Sequence, residues 1–548
     1  MSNRETALPS AEGSRRLLPV TAPPMKRYLT LLLSLLFVLP LPAQSRREAL
    51  LESQARRRQA YTEFRDNYRK ACADFMRKRW EAFRFEAPVP LPERKEPPQP
   101  IVKQPDESAA PTQDRIPYKE VVEAPVRPVP AIPATPAAPE VPGAPKEPDG
   151  PKVPDAPAGP KLPGTKKDGD RTPPAATGKG GPAPAVVTSR PCRFTFYGTE
   201  CSVSLAAKHR FKLASLQENS VADAWERVAG GAYDPVAKEC RELKEQLRLN
   251  DWGYYALVRT LSDGFFGKQS AESVVLQSFL MAEAGCKVRL ARGGDRLCLL
   301  LALVLDDQVY AKPYFKIDGQ TFYLLDDMAR AASYNICNFR MPGERPLSLA
   351  MPVPPVLAQK SGQPAVRKCG EGALTTTVTV NRNLMDFYAD YPSCYWSIYA
   401  ATELTPAVRD QLYPTLRSAL AGKGEYDAAN LLLHYLHRAF PYKTDEAQFG
   451  VERTLFAEEM FHYPYSDCED RSILFARLVR DLMKLDVVLL YYPEHIATAV
   501  CFKEDVKGDY MQIGAGRYVV CDPTYVGADV GDAMPDLKRV AAQVVKID

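Results

Sequence analysis

Helical and strand-like hydrophobic patterns follow each other in a fixed order from residue 191 onward. An alternating run around Gly198 predicts a β-hairpin first. Apolar positions spaced three and four apart, and then short apolar runs after Gly285, predict several helices followed by a sheet. The predicted helices lie within residues 221–231, 240–249, 251–268 and 272–284, and the predicted strands within 288–304 and 320–327.

The same order recurs toward the C-terminus. Residues 426–443 match 251–268 in apolar spacing, 468–490 resemble 272–290, and 516–525 resemble 319–328. Self-similarity of this kind indicates an internal duplication. We therefore expect an α+β protein with two related units, residues 191–345 and residues 372–548.

The N-terminus carries a secretory pattern. From Met25 the chain reads Lys26 and Arg27, an apolar run over 29–39, and then Ala43, which predicts a signal peptide over residues 25–43. The run is shorter than the roughly 20 residues of a membrane span, so cleavage is expected rather than a retained anchor. We therefore expect residues 1–24 to be a non-native or disordered extension, and we expect export to the periplasm, the cell surface or the medium.

Two further segments precede the folded units. Charged and apolar residues alternate at helical spacing over 45–86, which predicts one amphipathic, coiled-coil-like helix, either a partner-binding or membrane-surface helix or a solvated spacer. The chain has 50 prolines, an unusually high number, and many of them lie within residues 87–190. This composition predicts a disordered linker there. A net charge of +4 is too small to indicate nucleic-acid binding.

Chemistry is concentrated near the C-terminus, where Cys468 follows the candidate N-caps Ser466 and Asp467. A thiol in the first turn of a helix faces free backbone N–H groups and the positive end of the helix dipole, which favour the thiolate. Glu469 and Asp470 oppose this effect, and they also suit a helix start. His495 leads into one predicted strand and Asp522 ends another, so both could serve the thiol.

The segments 467–479, 493–500 and 518–525 resemble the three motifs of the transglutaminase-like superfamily, and in particular the bacterial transglutaminase-like cysteine peptidases. The likeness covers residues 425–530, with a weaker echo in 250–330. It implies a papain-like fold with Cys468 as nucleophile, His495 as general base and acid, and Asp522 orienting the imidazole. The expected oxyanion donors are the Cys468 backbone N–H and a side chain among Tyr463, Tyr465 and Gln448.

The first unit has different residues at the positions that correspond to this triad. They are Gln269 or Ser270, Asp295 or Arg296, and Asp327. Because only the aspartate survives, we expect the first unit to be catalytically dead and structural or substrate-positioning.

Other residues offer alternatives. His462 is a rival base, and His434 with His437 at helical spacing would suggest a metal, although no third ligand is evident and no metal or cofactor is implied. Twelve cysteines in an exported chain permit disulfides. The candidate pairs are Cys192 with Cys201 and Cys501 with Cys521, the alternative being that all four are small buried residues.

The sequence thus favours an exported cysteine enzyme that attacks a peptide or carboxamide carbonyl through a thioester. Hydrolysis is expected before acyl transfer to an amine, with a peptide or an envelope-associated protein as substrate. The alternative is a non-catalytic envelope scaffold or binding protein, in which both units only bind a partner.

Overall fold

The computed structural model describes residues 43–91, 97–104, 112–122, 191–304, 309–326, 331, 333–370 and 374–547. Asp327, most of the predicted linker, the extension and nearly all of the predicted signal peptide lie outside the described residues. From Arg65 onward the described chain forms one compact unit, whereas residues 43–64 belong to another. No helix in the described ranges combines the length and the apolar character needed to span a membrane.

The described residues contain eleven α-helices and sixteen β-strands, so the expected α+β class is confirmed. The helices are α1 Ala43–Met76, α2 Glu218–Ala229, α3 Asp234–Gln246, α4 Asp251–Phe266, α5 Ala271–Glu283, α6 Arg382–Ala389, α7 Trp396–Ala401, α8 Pro406–Leu420, α9 Glu425–Ala439, α10 Asp445–Phe449 and α11 Cys468–Leu478. The strands are β1 Glu81–Phe83, β2 Tyr118–Val122, β3 Cys192–Phe196, β4 Thr199–Val203, β5 Val288–Gly293, β6 Arg296–Ala302, β7 Tyr314–Ile317, β8 Gln320–Tyr323, β9 Tyr334–Cys337, β10 Ala365–Cys369, β11 Leu374–Val378, β12 Asp486–Tyr492, β13 His495–Cys501, β14 Tyr510–Ile513, β15 Gly516–Cys521 and β16 Ala542–Lys546.

Two six-stranded sheets organise these elements. The first has the order β1-β9-β5-β6-β8-β7, and the second has the order β2-β16-β12-β13-β15-β14. Neighbouring strands are antiparallel except for β2 and β16, which are parallel. In each sheet the two central strands form a tight hairpin, and one face of that hairpin packs on a helix, α5 in the first sheet and α11 in the second.

Strand β12 shows how side-chain alternation builds two cores. Val487 and Leu489 face the large helical core, whereas Val488, Leu490 and Tyr492 face a second cluster on the other side of the sheet. Successive side chains of a strand point to opposite faces, so a strand buried on both faces is apolar throughout.

The second face of that sheet is covered by residues that composition assigns to the linker. Ile116 is buried against it, and β2 pairs with the edge strand β16. The apolar residues Ile116, Tyr118, Val121 and Val122 supply the contacts that a Pro-rich spacer would lack. The linker therefore does not run unbroken from residue 87 to residue 190.

The N-terminal helix ends ten residues earlier than its predicted end at residue 86. The Trp80 indole donates to the carbonyl of Met76 at 2.9 Å, which closes the helix, and Trp80 is buried. Glu81–Phe83 then pairs with β9 instead of continuing the helix. Before this end, the Arg69 guanidinium is buried and contacts Asp234 and Glu283, each at 2.8 Å.

The predicted hairpin at Gly198 is confirmed, with Tyr197 at φ 40° and Gly198 at φ 71° in its turn. The two candidate disulfides are wrong, because none of the twelve cysteines forms a disulfide. The strand register explains this: Cys201 lies opposite Phe194 rather than Cys192, and Cys521 lies opposite Thr498 rather than Cys501.

Candidate active site

Cys468 is the first residue of α11, as the sequence predicts. Asp467 is the N-cap, with extended backbone at φ −112° and ψ −154°, and its own N–H lies 3.4 Å from Oδ2 of Asp470. The Cys468 thiol therefore lies where free helical N–H groups and the helix dipole favour negative charge. Only 1% of the residue is exposed to solvent.

His495 and Asp522 meet across neighbouring strands. His495 begins β13 directly after a tight turn from β12, where it lies opposite Tyr492. Asp522 follows the end of β15, whose last residue, Cys521, pairs with Thr498 of β13. His495 Nε2 lies 2.8 Å from Asp522 Oδ2. The pairing register thus brings two residues 27 positions apart into direct contact.

Asp522 is held as an ionised acceptor. Its Oδ1 accepts the backbone N–H groups of Thr524 at 2.9 Å and Tyr525 at 3.1 Å. Burial by itself raises the pKa of the Asp522 carboxyl, but the His495 ring and these two N–H groups outweigh it and hold the pKa below its ordinary value. Asp522 can therefore fix the orientation of the imidazole and stabilise its protonated form.

The residue after the histidine links the helix to the strand. The Ile496 N–H donates to the Cys468 sulfur at 3.3 Å, and the Ser472 hydroxyl donates to the Ile496 carbonyl at 3.0 Å. Both contacts fix α11 against β13, so the thiol lies beside the peptide that follows His495. In the opposite sense, Glu469 Oε2 lies 3.6 Å from the sulfur and disfavours a thiolate.

His437 contributes a contact that the sequence did not reveal. Its Nε2 lies 3.0 Å from the backbone carbonyl of Asp522, and burial lowers its pKa to about 4. It is therefore neutral at pH 7 and supports the loop that carries Asp522. His434 instead contacts Asp529 Oδ1 at 2.9 Å, so these two histidines, with rings 5.9 Å apart, have separate partners.

Buried carboxylates surround the start of the helix. Within the described ranges, the group whose donor atoms could together hold a metal ion is Asp445, Asp467 and Glu469, with oxygens within 4.8 Å of one another. Burial, Glu469 and Asp470 raise the pKa of Asp445 to about 10, and burial together with Glu469 also raises the pKa of Asp470. Both shifts oppose ionisation of Asp445 and Asp470 and so limit the negative charge beside Cys468.

Arg471 places a cation within the same helix start. Its guanidinium donates to the Phe440 carbonyl, lies 3.4 Å from Ser466 Oγ and lies over the Tyr442 ring at 5.3 Å. Burial lowers its pKa to about 10, so it remains charged at neutral pH. Sequence reasoning named Asp467, Glu469 and Asp470 at the helix start but missed Arg471 and Asp445.

The structure also locates the other sequence candidates. His462 packs on Tyr463, with ring centroids 4.7 Å apart. Gln448 Nε2 donates to the Tyr465 carbonyl at 3.5 Å, in the loop that leads to Cys468. The Tyr463 carbonyl accepts from Arg367 at 2.9 Å. Of these candidates, Gln448 and Tyr465 thus contact each other near the helix start.

Comparison of the chain with family models, with curated proteins and with solved structures gave no match. Its function must therefore be argued from the geometry of its own residues.

Proposed function

We propose that this protein is an exported cysteine enzyme of the transglutaminase-like class, with Cys468, His495 and Asp522 as its catalytic triad. The observation that carries the proposal is the 2.8 Å contact between His495 Nε2 and Asp522 Oδ2 beside a thiol at a helix start. The 3.3 Å contact from the Ile496 N–H to the Cys468 sulfur supports it, because that donor stabilises a thiolate.

The proposed reaction uses the two imidazole nitrogens for different tasks. With the Nε2 proton donated to Asp522, Nδ1 takes the proton from Cys468, and the thiolate attacks a peptide or carboxamide carbonyl carbon. The Cys468 backbone N–H stabilises the oxyanion, with Gln448 or Tyr465 as the side-chain donor. His495 then protonates the leaving amine, and water attacks the thioester to release the acid and the free thiol.

The proposed substrate is a peptide or an envelope-associated protein, and hydrolysis is proposed before transfer of the acyl group to another amine. Export through the predicted signal peptide is part of this proposal.

We also propose that the two units arose by duplication and share a papain-like fold. The support is the identical strand order of the two sheets, each with a helix packed on its central hairpin. By this correspondence Ala271 replaces Cys468, and Arg296 replaces His495. In the same correspondence, continuing the β6–β8 register aligns Asp326 with Asp522. Asp326 accepts from Tyr255 at 2.9 Å and from Arg259 at 3.1 Å, which is a structural use of the surviving carboxylate.

The test is the rate of Cys468 alkylation by iodoacetamide against pH, followed by peptide mass spectrometry in the full chain. We expect the pH profile of wild-type alkylation to lie toward more acid pH than that of an ordinary thiol, and His495→Ala to lose this displacement. His434→Ala is the matched control, because His434 pairs with Asp529 instead.

The second candidate function is a non-catalytic scaffold. It is favoured by the 1% exposure of Cys468 and by the Glu469 carboxylate 3.6 Å from the sulfur, both of which oppose reactivity. Identical pH profiles in wild type and His495→Ala would support the scaffold and contradict the enzyme.

A further inference from the structure

The proposed triad is closed to solvent in this conformation. Cys468 is 1% exposed, His495 7% and Asp522 2%. Attack on a carbonyl requires the substrate to reach the sulfur, so some part of the protein must move before catalysis. A segment bound weakly across the site is the natural part to move, because regions held by few buried contacts open at the lowest free energy.

Residues 97–104 form such a segment, which we call the strap. At one end the Tyr442 hydroxyl donates to the Pro97 carbonyl at 3.1 Å. At the other end the strap forms a parallel bridge with Val526: the Lys103 N–H donates to the Val526 carbonyl, and the Val526 N–H donates to the Ile101 carbonyl, each at 2.9 Å. The Lys103 ammonium also lies 2.7 Å from Asp532.

The two anchors connect to segments that carry different members of the triad. Tyr442 pairs with Ser466, two residues before the nucleophile, and its ring lies under the Arg471 guanidinium. Val526 follows Tyr525, whose N–H is bound by the Asp522 carboxylate at 3.1 Å. The strap thus joins Tyr442, which pairs with the segment before Cys468, to the loop that follows Asp522.

The strap binds as an extended peptide does. Ile101 and Val102 are 45% and 52% exposed, so its large apolar side chains add little to the core. The hydrogen bonds to Tyr442 and Val526 use only backbone atoms of the strap, which any extended sequence could supply. Prolines at positions 97, 98 and 100 favour the extended state in advance and so reduce the entropy lost on binding.

We propose that the strap is an autoinhibitory segment in a peptide-binding groove between Tyr442 and Val526, and that the substrate is an extended polypeptide that displaces it. This inference rests on the proposed function. The substrate forms the same backbone hydrogen bonds with Val526, which brings its scissile carbonyl to Cys468.

The test compares two proline variants of the full chain. Lys103→Pro removes the N–H that donates to Val526 and the ammonium that contacts Asp532. Gln99→Pro is the matched control, because it places a proline in the same strap at an exposed residue outside the bridge with Val526. The readout is the alkylation rate of Cys468 at fixed pH, with the half-buried Cys501 as internal reference.

We expect Lys103→Pro to accelerate Cys468 alkylation by about threefold to tenfold, since loss of one or two hydrogen bonds raises the open population by that factor. The Cys468 rate in Gln99→Pro and the Cys501 rate in both variants should match wild type. A synthetic peptide with the sequence of residues 97–104 should restore slow alkylation of Lys103→Pro at millimolar concentration. Equal Cys468 alkylation rates in the two variants would overturn the proposal that the strap is autoinhibitory. Faster alkylation of Lys103→Pro that the peptide does not slow would also overturn it.

Different experimental outcomes would contradict the strap proposal and the triad proposal. Acceleration in Lys103→Pro with no effect of His495→Ala on the pH profile would leave the strap as a cover over an inert thiol. An alkylation profile that depends on His495, together with equal rates in the two proline variants, would support the enzyme and exclude the autoinhibitory role of the strap.

Discussion

Asp522→Asn tests the triad with almost no change of shape. The asparagine carbonyl can keep the two hydrogen bonds from Thr524 and Tyr525, while its amide replaces Oδ2 opposite His495. An amide donates where the carboxylate accepted, so His495 Nε2 must become the acceptor. The ring proton then moves to Nδ1, which can no longer take the thiol proton.

The size of the effect follows from the lost charge. Asp522 Oδ2 lies 2.8 Å from His495 Nε2, in a pair buried from solvent. Two unit charges about 4 Å apart attract by about 4 kcal/mol at an effective dielectric constant near 20. At about 1.4 kcal/mol for each pH unit, loss of this attraction moves the alkylation profile of Cys468 by about two to three pH units toward alkaline pH.

The assay is iodoacetamide alkylation of Cys468 between about pH 5 and about pH 9, a range that includes both lowered and ordinary thiol pKa values, followed by mass spectrometry. Asp529→Asn is the matched control, since Asp529 also contacts a histidine, His434, at 2.9 Å. An unchanged profile in Asp522→Asn, or an equal displacement in Asp529→Asn, would refute the role given to Asp522.

Two stability predictions concern the surroundings of the site. Ser472→Ala leaves the buried Ile496 carbonyl without the hydroxyl that donates to it at 3.0 Å, so urea unfolding should show a loss of about 1–3 kcal/mol. Wild-type stability in that variant would contradict the contact. Burial raises the pKa of Glu458 from 4.5 to about 7 despite hydrogen bonds from Thr405. The protonated Glu458 side chain therefore contributes its full stability below about pH 4.5, and this contribution is lost as pH rises through about 7. The free energy of unfolding of Glu458→Gln, relative to that of wild type, should accordingly increase by about 3 kcal/mol as pH rises from about 4.5 to about 7. A stability difference that does not vary with pH would exclude this titration.

The sequence predicted those features that depend on local pattern. Apolar spacing located the helices from residue 218 to residue 283, and Gly198 located a turn that requires positive φ. The start of α11 at Cys468 was equally visible, because Asp467 and Asp470 suit the free N–H groups of a helix N-terminus. The helix over 45–86 was predicted too long, because tertiary pairing with β9 took residues 81–83 into a sheet.

Strand pairing could not be predicted from the sequence where the local composition indicated a disordered spacer. Residues 112–122 read as part of a Pro-rich spacer, yet β2 extends the second sheet because a free edge at β16 offers it a ladder of hydrogen bonds. The strap shows the same effect, since its hydrogen bonds to Tyr442 and Val526 use backbone atoms of the strap that no residue pattern reveals.

The sequence by itself determined the α+β class, the place of Cys468 at a helix start and the strands that carry His495 and Asp522. Only the tertiary structure decided the 2.8 Å contact between that histidine and aspartate, the buried Arg471 and acidic cluster beside the thiol, and the absence of disulfides among the twelve cysteines. The physical reason is that local periodicity fixes which face of an element is apolar. Strand register and burial, which arise between residues far apart in the chain, fix which side chains meet and which charges they carry.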